Sequence, residues 1–316
     1  MAYKRKTIYL AVFALALIAT FMLINVGSNW GYVIPRRVTK VLAIMLTGSA
    51  IAFSTVVFQT ITNNRILTPS ILGLDSLYML IQTSVIFLLG SSALTMVSKN
   101  MHFIITVMVM VLFSGLLYKF MFRRDQQNIY FLLLIGIILG TLFQSLTTFM
   151  EVLIDPNEFM IVQDRMFASF NNINTDVLLI AGILIVAVTL YFLKFMKYLD
   201  VISLGRDQAV NLGVPYDYVV KRLLIIVAIL ISISTALVGP ITFLGLLVVN
   251  VTYQFLRTYR HSYLIGGSML IAIIALVGGQ LIVERVFTFS TTISVIINFI
   301  GGVYFIYLLL KENKSW

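Results

Sequence analysis

Cysteine is absent from this 316-residue sequence, and charged residues make up only 11% of it. Without cysteine the chain can form neither a disulfide framework nor a thiolate metal site. Its two histidines, His102 and His261, are too few and too far apart to form a recognisable metal cluster. Soluble globular domains carry roughly 25% charged residues, so this chain lies outside that class.

Signs of a catalytic or nucleotide-binding site are also missing. No Gly-Lys dipeptide occurs, so the G-x-x-x-x-G-K-[ST] loop that cradles nucleotide phosphates is absent. No Ser/His/Asp set or carboxylate pair indicates an intramembrane enzyme. No charge is expected near the centre of an apolar run, because Asp75 is predicted within about a turn of the cytoplasmic side. This disfavours an ion-coupled carrier, which commonly has a mid-membrane carboxylate and paired helix breaks.

Apolar residues are abundant instead, at 60% of the sequence, and the mean hydropathy is +1.02. Apolar runs of about membrane-spanning length predict an all-α polytopic bundle of about ten transmembrane helices, forming a single permease domain over residues 1–316. The runs are 7–27, 38–60, 71–94, 102–121, 129–150, 176–193, 223–238, 241–256, 263–283 and 291–310. The first is too long for a typical secretory signal, so we expect it to be an uncleaved span.

The net charge of +10 would suggest nucleic acid as a partner of a soluble protein. Here the basic residues stand between apolar runs and indicate membrane topology, because cytoplasmic loops are enriched in Lys and Arg. With the N-terminus in the cytoplasm, 16 basic residues fall inside and 6 outside, which together make the 22 in the sequence. We therefore expect both termini in the cytoplasm, membrane lipid as a partner, and no nucleic acid.

Small residues recur along one face of the second run, at Ala43, Thr47, Ala50 and Ser54. Such residues allow helices to pack closely within a membrane. The face has two interpretations: it lines a pathway or contacts a partner subunit, or it packs within the bundle.

Four blocks of sequence carry motifs, and the last of them runs from Gln280 to Arg285 and is followed by Gly301-Gly302. The first contains Pro35-Arg36, a Gly/Ala-rich stretch from Gly48, Gln59 and Leu72-Gly73-Leu74. The second contains Leu204-Gly205, Ala209 and Leu212-Gly213-Val214, and the third contains Gly239-Pro240-Ile241, Phe243 and Gly245-Leu246. In this order they resemble the permease subunit of the ABC importers for iron–siderophores, haem and cobalamin. The chain departs from the family pattern at Arg65, where proline is usual, and at Val249-Asn250, which replaces Pro-His.

The second block is similar to the family's coupling element, which here would cover about residues 198–216. In the family this element is a pair of short helices that inserts into a cleft of the ATPase. The residues themselves agree with this role, because leucines combine with glycines that permit tight turns on the positively charged side. A plain surface loop is the alternative.

The resemblance implies a non-enzymatic subunit that moves an iron–siderophore complex across the plasma membrane. Our hypothesis is that the siderophore is of the catecholate type. The implied partners are a second permease subunit, identical or paralogous, two ATPase subunits that bind ATP-Mg, and an extracellular siderophore-binding protein. No cofactor is expected on this chain itself. An ion-coupled secondary transporter or a channel acting without an ATPase is the alternative function.

The resemblance also assigns roles to individual residues. Arg36 and Arg285 match family arginines that dock the binding protein, and Arg37 is a substitute for a third; arginines anchored at lipid headgroups are the alternative. Gly239, Pro240 and Gly245 are expected to form a structural turn, and His261 to lie in a solvated loop. From their polarity, we expect four residues to line the pathway: Thr47, Ser54, Gln59 and Asn298.

Overall fold

The computed structural model describes residues 2–90, 98–121 and 129–312, and these ranges contain helices and no strand. The predicted all-α polytopic fold is therefore confirmed. In chain order the helices are α1 (Ala2–Leu23), α2 (Trp30–Thr62), a 3-10 turn (Pro69–Leu72), α3 (Leu74–Leu89), α4 (Lys99–Met121), α5 (Ile129–Leu153), α6 (Pro156–Met166), α7 (Thr175–Phe192), α8 (Met196–Ile202), α9 (Arg206–Asn211), α10 (Tyr216–Val238), α11 (Leu244–Leu256), α12 (His261–Arg285) and α13 (Ile293–Glu312).

Seven of the described helices are long and apolar enough to cross a membrane: α1, α2, α4, α5, α7, α10 and α12. Three shorter helices, α3, α11 and α13, are also apolar. Each of these ten helices overlaps one of the ten predicted runs. The number of actual membrane crossings and the cytoplasmic placement of both termini stay predictions.

Helix α2 is the central element of the bundle. Its 33 residues make it about 50 Å long at 1.5 Å per residue, and most of its length is buried. Gly48 brings it close to α12, since a Cβ there would lie 2.8 Å from Leu276 Cδ1. The four small residues predicted on one face, Ala43, Thr47, Ala50 and Ser54, are all buried. This burial supports packing within the bundle rather than a surface for a partner subunit.

Two irregular segments interrupt the bundle. After α2 the chain runs through the 3-10 turn to Gly73, whose φ of +77° favours glycine. Gly73 lies against α5, where a Cβ on it would meet the Gly140 backbone at 3.0 Å. The second break follows α10, where Gly239 has a φ of +100°, and α11 begins only at Leu244. Residues 223–256 are therefore two helices and not one kinked helix.

The first break carries Asp75 into the interior of the bundle. Gly140, the neighbour of Gly73, lies near the middle of α5, and Thr242 at the second break donates to Asp75 Oδ2 at 3.2 Å. Asp75 therefore lies between the two breaks and beside α5, because residues 63–73 turn back into the bundle before α3 begins. Its distance from the cytoplasmic side of a membrane stays a prediction, but a carboxylate within the bundle weakens the argument against ion coupling.

Candidate functional site: the coupling element, the outer arginines and a polar groove

The predicted coupling element folds into two short helices, α8 and α9, with left-handed glycines at their ends. Gly205 (φ +99°) precedes α9 and Gly213 (φ +81°) follows it, which is where non-glycine residues would be strained. On α8, Leu199 and Ile202 are buried, and Ala209 of α9 is buried as well. The element is therefore a built structure anchored to the bundle.

The same element presents apolar side chains away from the bundle. Leu204 is 56% exposed, Val210 is 50% exposed and Leu212 is 64% exposed. Val214, which the sequence pattern places in the same element as Leu204 and Leu212, is buried at 9% exposure. A projection of exposed leucines at a loop between spanning helices is suited to insertion into an apolar cleft of another protein.

His261 lies beneath this element and not in a solvated loop as predicted. It is the first residue of α12 and is 4% exposed. Its ring Nδ1 is 2.6 Å from Asp200 Oδ1 on α8, and its Nε2 is 2.9 Å from Thr60 Oγ1 near the end of α2. This burial could not be predicted from the sequence, because the partners Asp200 and Thr60 are about 60 and 200 residues away in the chain.

At the opposite end of the bundle, two of the three predicted docking arginines are exposed. The guanidinium of Arg36 stacks over the ring of Tyr32 at 4.2 Å. Arg285 donates to the Ile24 carbonyl at 3.2 Å and remains exposed. Both charges therefore face outward, one at the start of α2 and one at the end of α12.

Arg37 has a different role from the predicted one. Its side chain is buried, and Nη1 donates to the carbonyl oxygens of Phe21, Met22 and Ile24 at 2.7–3.0 Å. Carbonyls at a helix C-terminus lack partners within the helix, so Arg37 caps the end of α1. A guanidinium engaged in this way is not available to a docking protein, so Arg37 is not a docking residue, contrary to the prediction.

The acidic residue at the same end is paired within the chain. Glu284 accepts a hydrogen bond from Lys40 Nζ at 2.7 Å and another from Gln280 Nε2 at 2.9 Å. Both members of the Lys40–Glu284 pair are largely buried. This pair ties α2 to α12 close to the exposed Arg285.

An open groove of about 620 Å³ runs between α5 and the first helix break. Its polar lining comes from Ser70 and Ser76 on one side and from Thr141, Gln144, Ser145 and Thr148 on the other. The four α5 residues are exposed on one helical face, with i, i+3, i+4, i+7 spacing. Sequence reasoning missed this groove, and that spacing was the available signal.

The residues predicted to line the pathway lie elsewhere. Thr47 and Ser54 have no exposed surface, and Gln59 is 2% exposed with its Nε2 donating to the Arg65 carbonyl at 2.7 Å. Asn298 Oδ1 accepts from the Phe243 backbone nitrogen at 3.4 Å. None of these four is among the residues that line the groove. Their role in transport stays a prediction.

The three glycine and proline positions predicted to form one turn divide into two roles. Gly239 and Pro240 do lie at the turn after α10. Gly245 is the second residue of α11, where a Cβ would overlap the Thr55 side chain. Its smallness therefore serves close packing of α11 on α2.

Together, the helical bundle, the protruding apolar element and the polar groove define a membrane-embedded transport protein. The chain matches the FecCD transport family over residues 7–311 and belongs to that family. It is thus a multi-pass permease of the bacterial inner membrane.

Known relatives agree with this assignment. The chain is 65% identical to the petrobactin import system permease protein YclO of Bacillus subtilis, over 100% of both chains. It is 40% identical to the petrobactin import system permease protein FatC of Bacillus anthracis, covering 89% of this chain and 79% of that one. A solved structure of an inward-facing ABC transporter of the metal-chelate type has a TM-score of 0.85 at 22% identity, covering 98% of this chain and 99% of that one. The last similarity shows the fold.

Proposed function

We propose that this chain is the membrane-spanning subunit of an ATP-driven importer for a ferric siderophore, with petrobactin as the first candidate. The observation that carries the proposal is the 65% identity with a petrobactin import permease along the whole of both chains. Identity at this level leaves the pathway, the docking surfaces and the coupling element little room to diverge.

ATP hydrolysis belongs on a separate ATPase subunit in this proposal. The described residues supply what such a subunit needs for contact, namely the exposed Leu204, Val210 and Leu212 on an element whose other face is buried. The glycines at positions 205 and 213 hold that element in a compact shape. Two ATPases, each binding ATP-Mg, would serve two permease subunits, either two copies of this chain or this chain and a paralogue.

The polar groove is the surface we assign to the substrate pathway. The side-chain amide of Gln144 is costly against lipid, because acyl chains offer it no hydrogen-bond partner, whereas the hydroxyls of Thr141 and Ser145 already donate to carbonyls one turn back in α5. Gln144 and the polar face around it would therefore face a second permease subunit across a water-filled space. A lining with hydroxyls, one amide and no formal charge suits a bulky chelate that passes through without being held tightly.

Arg36 and Arg285 are the residues we assign to docking of an extracellular siderophore-binding protein. Both are exposed at the end of the bundle opposite the coupling element. Carboxylates on the partner would be attracted to them, and such pairs set the orientation and rate of association more than raw affinity.

Asp75 is the observation that keeps an ion-coupled carrier as the second candidate. A carboxylate between two helix breaks is the arrangement that such carriers use. In this structure it accepts a hydrogen bond from Thr242, so it also has a plain structural role in tying the two breaks together. The full-length identity to an import system permease favours the first function.

The test is uptake of iron-loaded petrobactin into proteoliposomes that contain this chain, its partner permease and the ATPase, with binding protein outside. We expect uptake that requires internal ATP, and loss of uptake in Gln144→Trp, which fills the groove. Leu142→Trp is the matched control, because Leu142 is exposed on α5 but is not among the groove residues. Uptake driven by an ion gradient without ATP would reject the proposal in favour of the second candidate.

A further inference from the structure

Three side chains from three different elements meet beneath the coupling element. They are Asp200 of α8, His261 of α12 and Thr60 of α2, and we refer to them as the histidine joint. Asp200 Oδ1 accepts from both the backbone nitrogen of His261, at 3.0 Å, and its ring Nδ1, at 2.6 Å. One carboxylate thus holds both the start of α12 and the orientation of the imidazole.

The other ring nitrogen completes the joint on α2. His261 Nε2 lies 2.9 Å from Thr60 Oγ1, and the Thr60 hydroxyl also bonds to the Val56 carbonyl at 2.7 Å within its own helix. The threonine is therefore held in one rotamer, and both nitrogens of the ring have partners. An imidazole bridged in this way has little freedom to move relative to either helix.

Burial divides the joint into a fixed side and a side that faces the coupling surface. His261 is 4% exposed and Thr60 is 5% exposed, whereas the Asp200 side chain is 51% exposed. The residues on either side of Asp200, Leu199 and Val201, differ as well, since Leu199 is fully buried and Val201 is half-buried. A displacement of α8 would therefore pull directly on the buried ring.

The two helices that the joint holds are those that carry the exposed arginines at their far ends. Helix α2 has Thr60 near one end and Arg36 near the other, and α12 runs from His261 to Arg285. The Lys40–Glu284 pair ties the same two helices together at that far end. One pair of helices thus has a polar link at each end, and one of these links contacts the coupling element.

We propose that the histidine joint is a positioning device that transmits the state of the binding-protein face to the coupling element. This inference rests on the proposed function, because it needs an ATPase at one end and a binding protein at the other. The joint contacts neither ATP nor siderophore and acts by fixing α8 relative to α2 and α12. Coupling between distant sites is carried by packed side chains, hydrogen-bond networks and rigid helices, and these hydrogen bonds form such a network between α8, α2 and α12.

The test is the ATPase activity of the complete importer in nanodiscs, measured with and without binding protein loaded with iron–petrobactin. We expect His261→Ala to lower the ratio of stimulated to basal activity at least about fivefold, the low end for coupling between sites. The basal rate and the co-purification of the ATPase should remain. His261→Asn, which places an amide donor near the Nδ1 position, should recover part of the ratio.

Two further variants keep the inference open to refutation if His261→Ala folds poorly. Thr60→Val removes only the hydroxyl at nearly constant shape and should lower the ratio in the same direction. Thr20→Val, at an exposed threonine of α1 whose hydroxyl likewise donates to the carbonyl four residues earlier, is the control and should leave the ratio unchanged. A stimulated-to-basal ratio equal to that of the wild type in His261→Ala or Thr60→Val would reject the proposed role of the joint.

The outcomes separate this inference from the function it rests on. A loss of the stimulated-to-basal ratio at unchanged thermal stability supports the joint. A lower unfolding midpoint together with a proportional fall of both ATPase rates would mean that these residues only cap a helix, and it would reject the inference. Failure of the wild-type complex to hydrolyse ATP in response to binding protein would reject the proposed function and the joint together. If binding protein stimulates the ATPase activity of the wild type and of His261→Ala alike, only the proposed role of the joint is rejected.

Discussion

The side-chain amide of Asn250 donates to the carbonyl oxygen of Arg65 at 2.9 Å, so the two positions at which this chain departs most clearly from the family pattern are in contact. The same carbonyl accepts from Gln59 Nε2 at 2.7 Å. The guanidinium of Arg65 stacks 4.6 Å from the ring centre of Tyr253. The irregular chain after α2 is therefore held by side chains from α2 and α11, and the replacement of proline at 65 and histidine at 250 belongs to one local arrangement.

Replacing Asn250 with alanine should destabilise the protein. The change removes one of two side-chain donors to the Arg65 carbonyl in a largely buried setting, which costs about 1 kcal/mol for a typical hydrogen bond. Thermal unfolding in detergent should show a lower midpoint. Asn157→Ala, at an exposed position on α6, provides the comparison, and equal midpoints for the two variants would contradict this role of Asn250.

Replacing Gly213 with valine should abolish siderophore uptake while leaving membrane insertion intact. A left-handed conformation costs a non-glycine residue about 1–2 kcal/mol and more when it is β-branched. Since no other atom lies within 4 Å of the site of a Cβ at Gly213, the effect arises from the backbone and shifts the neighbouring Leu212. Gly266→Val is the control, because Gly266 also has open space around it but lies in a regular helix. Normal uptake by Gly213→Val would reject the coupling assignment.

Replacing Arg36 and Arg285 with glutamate should weaken docking of the binding protein. The loss should grow as ionic strength falls, because screening between exposed charges is then weaker. Affinity for the immobilised permease complex, measured across a salt series, provides the readout. Binding that is indifferent to the two substitutions at low salt would mean that these arginines only anchor the protein at the membrane surface.

Arg37→Ala should affect stability and not docking. The substitution removes the Arg37 donor from the carbonyls of Phe21, Met22 and Ile24, of which only the Ile24 carbonyl keeps a second donor, Arg285. A buried group that is left unsatisfied costs about 1–3 kcal/mol. We expect a lower unfolding midpoint and unchanged affinity for the binding protein in the fraction that remains folded. Weaker docking without a lower unfolding midpoint would mean that Arg37 does contact the binding protein.

Replacing Gly136 with alanine should destabilise the packing of the first helix break against α5. The new Cβ would lie 2.9 Å from Leu72 Cα and 3.0 Å from the Ile71 carbonyl oxygen, and these backbone atoms cannot rotate away. Overpacking of this kind costs about 1–3 kcal/mol. Gly115→Ala, on α4 with nothing within 4 Å, should raise the midpoint or leave it unchanged, so a lower midpoint is expected for Gly136→Ala alone.

Much of the architecture follows from local sequence, because each apolar helix overlaps an apolar run that composition and length already identify. The local structure of the predicted coupling element was also predictable, since Gly205 and Gly213 mark the ends of α9 by their own backbone requirements. These features depend on residues that are close together in the chain.

Features that depend on distant contacts were not predictable. The depth of Asp75 depends on the packing of Gly73 against Gly140, and the burial of His261 depends on Asp200 and Thr60. The groove on α5 escaped notice because Thr141 and Gln144 lie in a run that is apolar on average, and exposure of one face is decided by neighbouring helices. Arg37 and Arg36 are adjacent in sequence, yet helical geometry turns one inward and the other outward.

The hydroxyl-lined face of α5 has a consequence for how the protein is made in the cell. In the proposed pairing, a newly inserted subunit that has not met its partner would turn this face toward acyl chains. There the hydroxyls of Thr141 and Ser145 keep their bonds to carbonyls of α5, but the side-chain amide of Gln144 has no partner in the lipid. Such an orphan is the kind of substrate that membrane quality-control proteases degrade. Where the proposed partner is a paralogue, accumulation of this chain should therefore depend on balanced synthesis of the two subunits, and overproduction should succeed best when both are expressed together.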